Sequence, residues 1–269
     1  MSGIVNPAAL VLGAGGTAGM GVVDALLEVG CPVLAVGRDS PRMQALAQRH
    51  ADEPALRILE SGCISDDRAA ARLAAKLRRD GSTIQHVFAS IATPLHAGRL
   101  LDQPVAFLKQ KLEQDLLPHL AAARHLLPLL AQARQRNGRP AHYIILGGPY
   151  AERGWSGYGH SSITAAAMRM LVQVLHEEAL SLGVRVQLLS IDQPLSTPAN
   201  AGHACAQWPT ALAVGRRAVS LLNPCRSALP TIVSFNGEQP PPAPAGLMFA
   251  DFPAPHDAAC PPFSNTDSA

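Results

Sequence analysis

The turn Gly13-Ala14-Gly15-Gly16-Thr17-Ala18-Gly19-Met20-Gly21 limits the fold more than any other feature of the chain. The apolar run 8–12 before it reads as a strand, and the segment from about 18 to 29 after it reads as a helix. In that context glycines let the backbone turn tightly and approach a diphosphate, while the amino end of the helix offers free N–H groups and a positive dipole end.

The same alternation runs through the chain. Strands are expected at 32–36, 55–59, 83–89, 142–146, 184–190 and 229–235. Between them the pattern predicts helices: one after Ser40, which stands as an N-cap before Pro41, then 66–79, a long stretch from about 104 to 134, 161–181 and 210–222. This predicts an α/β fold: a single Rossmann-like, doubly wound parallel sheet of about seven strands in order 3-2-1-4-5-6-7, with helices on both faces and right-handed crossovers. The domain spans 1–236. From 237 to 269 prolines recur, including Pro240–Pro242, so this stretch reads as an extended or disordered tail.

The chain has 269 residues, of which 48% are hydrophobic and 16% charged, enough apolar material for one large core. A net charge of +2 does not fit a nucleic-acid or membrane-surface binder. No apolar run reaches about 18 residues. The longest, 116–131, is interrupted by Pro118, His119, Arg124, His125 and Pro128. No signal peptide is read at the start. Cys31, Cys63, Cys205, Cys225 and Cys260 are scattered, with no CxxC pair. That fits a reduced cytoplasmic protein without a disulfide framework or bound metal.

The second strand ends Val36-Gly37-Arg38-Asp39, with Arg42 one turn on. An acidic side chain here suits a ribose 2′-hydroxyl, and an arginine suits a 2′-phosphate. Arg38 and Arg42 therefore favour NADP(H) over NAD, although Asp39 opposes a phosphate. The candidate cofactor residues are Gly13, Gly15, Gly16, Thr17, Gly19, Met20, Gly21 and Arg38, with Ile64 after the third strand and Ser90 and Ile91 after the fourth.

The spacing Gly15-x3-Gly19-x-Gly21, the segment Gly37-Arg38-Asp39-x-x-Arg42 and the strand–helix rhythm resemble the short-chain dehydrogenase/reductase family over residues 7–236. Leu126-Leu127-Pro128 and Gly183-Val184-Arg185-Val186-Gln187 add to the resemblance. It implies a nicotinamide cofactor and a catalytic asparagine, serine, tyrosine and lysine. Here those positions fall on Asp115, Gly148, Ser161 and Ala165. The family's Asn-Asn-Ala-Gly falls on Ala89-Ser90-Ile91-Ala92, its Pro-Gly on Ile191-Asp192, and its adenine-side acid on Cys63. The only lysines are Lys76, Lys109 and Lys111, so no Tyr-x-x-x-Lys can exist in a later helix. A tyrosine titrating near about 10 needs such a neighbour to act as a base at neutral pH. Ordinary carbonyl–alcohol interconversion by Ser-Tyr-Lys chemistry is therefore not expected.

Tyr158 lies seven residues before Ala165, as the working tyrosine precedes the lysine in the family's divergent enoyl reductases, and Ser90-Ile91 is similar to a Ser-Ile found there. Tyr158 is thus the candidate donor of a proton to an enolate. His160 titrates near neutrality when unperturbed. Ser161 is read as a hydroxyl of the site or as the helix N-cap. Asp115 shares a helix face with Lys111 and His119, in a pocket-side cluster or a surface ion pair. Arg153 and Arg169 are further cations, and segment 193–209 is expected to cover a partly apolar ligand. Three functions stay open: an NADP(H)-dependent oxidoreductase on an activated, enone-like small molecule, a non-catalytic NADP-binding protein, and a cofactor-independent isomerase, cyclase or lyase. Apolar residues on the helices around 116–131 and 165–175 predict a homodimer or homotetramer.

Overall fold

Continuous apolar runs make the central strands, because helices cover both faces of a parallel sheet. A computed structural model describes residues 6–61, 64–148, 151–198, 200–223 and 230–237. Cys63, Cys225, Leu229, Cys260 and the tail from 238 onward lie outside the described residues. The elements are β1 (Ala9–Leu12), α1 (Thr17–Glu28), β2 (Val33–Gly37), α2 (Pro41–Arg49), β3 (Leu56–Glu60), α3 (Asp67–Arg79), β4 (His86–Ala89), α4 (Val105–Asp115), α5 (Leu117–Asn137), β5 (Ala141–Gly147), α6 (Gly159–Leu180), β6 (Val184–Ile191), α7 (Ala211–Ser220) and β7 (Ile232–Phe235). The strands form one parallel sheet in the expected order, β3-β2-β1-β4-β5-β6-β7.

Side chains of successive strand residues leave on opposite faces. Leu10 and Leu12 join the core under α3, α5 and α6, whereas Ala9 and Val11 join the core under α1, α2 and α7. Helix starts follow local chemistry. Ser40, Asp66 and Thr210 cap α2, α3 and α7, each side chain accepting a hydrogen bond from the N–H three residues on. Helices α1 and α7 cross backbone to backbone. A Cβ on Gly21 would collide with the Ala211 carbonyl, and one on Gly215 with the carbonyl of Gly21.

Three local expectations are corrected. The helical stretch of 104–134 is two helices, because Leu116 ends α4 and opens α5. Pro118 sits in the first turn of α5 and has no N–H to continue the ladder of α4. The N-cap of α6 is Tyr158, not Ser161, which lies inside the helix. Ser162 instead ties that helix to the preceding loop, its Oγ accepting from the Trp155 N–H at 3.1 Å. The fourth strand begins at His86, not at 83; the buried Gln85 just before it donates its side-chain amide to the Arg139 carbonyl at 3.0 Å.

Candidate cofactor and active site

Strand order reverses between β1 and β4, and in such sheets ligands lie in the crevice outside the carboxyl ends of those two strands. The glycine turn occupies that place. Gly13 has φ +73°, a left-handed conformation, and a Cβ there would strike the carbonyl oxygen of Ser90 at the end of β4. The turn closes by a bond from the Gly16 N–H to the Gly13 carbonyl at 2.9 Å. Gly16 is the N-cap of α1, with no side-chain cap and no acidic residue in the first turn. The amides of Thr17, Ala18 and Gly19 therefore have no acceptor one turn back within the helix. An uncapped amino end at the strand ends suits a diphosphate, so this part of the site fits a dinucleotide.

The remaining candidate cofactor residues divide. Met43 of α2 packs beneath Gly15 and Gly37, and the Cβ of Arg42 lies 3.7 Å from where a Gly15 Cβ would be. Arg42 is thus beside the glycine turn, and Arg38 is exposed just beyond β2. Among the described residues neither arginine pairs with a carboxylate. The Asp39 carboxylate accepts from the Gln44 side chain at 3.1 Å, which engages it toward α2. Ile64 is buried beside the end of β3, and Met20 packs on the core of α1. Gly21 faces α7, away from the turn.

The loop after β4 carries a buried polar cluster. The Ser90 N–H donates to the Leu12 carbonyl at 2.9 Å, and the His119 Nε2–H donates to the Ile91 carbonyl at 2.8 Å. Asp115 accepts from the Thr93 N–H at 2.7 Å and from its hydroxyl at 3.0 Å. The Lys111 ammonium donates to the same hydroxyl and pairs with Asp115 at 3.2 Å. The Lys111–Asp115–His119 face is therefore an interior cluster rather than a surface ion pair. Burial pushes the His119 pKa down to about 4, against the opposing effects of the Ile91 carbonyl and the Asp115 charge.

His160, second residue of α6, is fully enclosed by its neighbours. The edge of the Phe107 ring stands 5.1 Å from it between centroids, and His96 lies 6.4 Å away. Neither ring nitrogen has a hydrogen-bond partner among the described residues. Desolvation holds its pKa below the ordinary value; the Lys111 and His96 charges add to that, and Asp115 opposes it. Tyr158, half-buried, stands at the same helix end, where the Gly98 N–H of the β4 loop bonds the Gly157 carbonyl at 2.8 Å. Ser161 is half-buried on α6, and Gly148 lies exposed beyond the end of β5. Arg153 stacks on Trp155, and Arg169 pairs with Glu152 at 3.2 Å. Sequence reasoning missed Thr93, His96 and Phe107. Phe107 was findable, four residues before Lys111 on the same helix; the two loop residues carry no periodic signal.

A doubly wound sheet with a glycine turn at its switch point defines a nucleotide-binding α/β protein. Residues 13–219 match the family model described as enoyl-(acyl carrier protein) reductase. The chain belongs to that family, within the short-chain dehydrogenases/reductases. Three similar solved structures share the fold. The Pseudomonas aeruginosa RhlG/NADP complex is 20% identical, with a TM-score of 0.73 over 85% of this chain and 94% of that one. ElxO with NADP bound is 12% identical, with a TM-score of 0.74 over 87% and 98%. The NADH-dependent reductase A1-R′ of alginate metabolism is 17% identical, with a TM-score of 0.73 over 89% and 99%. No curated protein matches by sequence. Among the described residues no helix is long and apolar enough to cross a membrane.

Proposed function

We propose that the chain is an NADP(H)-dependent oxidoreductase that reduces an activated, enone-like small molecule, with Tyr158 as proton donor. The observation that carries this is the uncapped end of α1 at the β1/β4 crevice, with Arg42 beside it, Arg38 just beyond β2, and neither paired with a carboxylate among the described residues. NADP is named with two of the similar structures, and the matching family model is one of enoyl reductases. When bound, NADPH supplies a hydride. The first-turn amides of α1 hold the diphosphate, and Arg38 with Arg42 neutralises the 2′-phosphate. A conjugated acceptor spreads the developing charge over its own carbonyl, which lessens the need for the serine hydroxyl missing at Gly148. Tyr158 then delivers a proton to the enolate.

The test is transfer of deuterium from NADPH labelled at C4 to an α,β-unsaturated ketone, read by mass spectrometry of the saturated product. Labelled product is expected, and Tyr158→Phe is expected to lower the rate roughly tenfold or more while leaving NADPH affinity within about twofold. Brisk reduction of a simple unactivated ketone would overturn the reading. A rate indifferent to Tyr158→Phe would remove Tyr158 as the donor.

A further inference from the structure

The interior of this crevice holds a cation whose purpose packing does not supply. Phe107, Lys111 and Asp115 stand four residues apart on α4 and form one stripe. Phe107 meets His160, the charge of Lys111 acts on that imidazole, and Asp115 grips Thr93. The stripe thus closes the space between the loop after β4 and the head of α6. Burying an ammonium costs several kcal/mol even when it is paired, and an apolar side chain of the same volume is often no less stable there. An ammonium has three donors. Thr93 and Asp115 engage two, and the side chain keeps 8% of its surface open. Beside it, the enclosed His160 ring has two nitrogens with no partner among the described residues.

Position says which ligand. The Ser90 carbonyl touches the glycine turn, and Thr93 is three residues on, at most about 10 Å along the chain. Arg38 and Arg42 lie on the opposite, β2 side of that turn. A dinucleotide with its diphosphate on α1 and its 2′-phosphate at the arginines must run its other half toward Thr93 and Lys111. We propose that Lys111, presented from α4, is the cation that binds the hydroxyls of the nicotinamide-side ribose, with Thr93 and Asp115 as positioning residues. This rests on the NADP(H) reading above.

The experiment compares two ligands by fluorescence and calorimetric titration: NADPH, and 2′,5′-ADP, which carries only the adenine half. The background is Asp115→Asn, so that removing the lysine strands no buried carboxylate. Adding Lys111→Met is expected to weaken NADPH about ten- to a hundredfold, the worth of a charge-assisted hydrogen bond, and to leave 2′,5′-ADP within about twofold. Thr93→Val, which keeps both charges, is expected to weaken NADPH selectively as well, and serves if the double variant does not unfold cooperatively. Unchanged NADPH affinity, or an equal loss for both ligands, overturns the role of Lys111 while the NADP(H) reading stands. If the parent protein does not bind NADPH, both readings fail together, whether or not it binds 2′,5′-ADP.

Discussion

Acid should unfold this protein from the inside, through histidines rather than carboxylates. His119 is buried and neutral, with a pKa of about 4 against an ordinary 6.5. Above 6.5 the ring is neutral in both the folded and the unfolded chain, so it contributes no pH dependence. As pH falls through 6.5, only the unfolded chain takes up the proton, and stability declines by up to about 1.4 kcal/mol per pH unit. The loss levels off near pH 4, where the folded ring also protonates. At pH 5 this amounts to about 2 kcal/mol for His119 alone. His86 and His142, which face each other at 3.3 Å between Nδ1 atoms in the paired strands β4 and β5, are both held below their ordinary values by burial and add in the same direction. A protein of typical stability, about 5–15 kcal/mol, would lose a large fraction of it by pH 5. The assay is urea unfolding at pH 7.5, 6.5, 5.5 and 5.0 for the parent and for His119→Gln. That variant keeps an amide donor for the Ile91 carbonyl and has no proton to gain. Its loss between pH 7.5 and 5.0 should be smaller than the parent's by about 2 kcal/mol. Identical pH profiles for the two proteins would refute the reasoning.

Other outcomes follow from packing. Gly21→Ala should destabilise by about 1–3 kcal/mol or more in thermal unfolding, because its methyl meets the Ala211 carbonyl, which belongs to helix backbone and cannot swing away; a change under about 0.5 kcal/mol would show that α1 and α7 separate freely. Helices α5 and α6 leave Leu117, Leu120, Met170, Val174 and Leu180 exposed, the first two lining a groove of about 530 Å³, so the protein should self-associate through these helices. Light scattering at micromolar concentration should show a dimer or larger, and a monomer would contradict that use of the face.

The fold was legible because its signals are local and repeated. Each buried strand is an apolar run, each helix has its cap or periodicity, and strand–helix alternation admits few topologies. An error arose where tertiary contacts override local signals, as at Ser161, where the helix reaches back to Gly159. The site was half legible. The glycine turn and the spacing of Lys111, Asp115 and His119 can be read from the chain. That this face turns inward cannot, because burial depends on where the β4 loop brings Thr93 and His96, and loop paths leave no periodic trace.

Calorimetric titration of the parent protein and Arg38→Ala with NADPH and NADH tests most directly whether the end of β2 holds a 2′-phosphate. The parent is expected to bind NADPH about ten- to a hundredfold more tightly than NADH, the worth of a charge-assisted contact to phosphate, and Arg38→Ala to remove most of that difference by weakening NADPH alone. Equal affinities in the parent would contradict this, because they would show that Asp39 rather than Arg38 and Arg42 governs the end of β2.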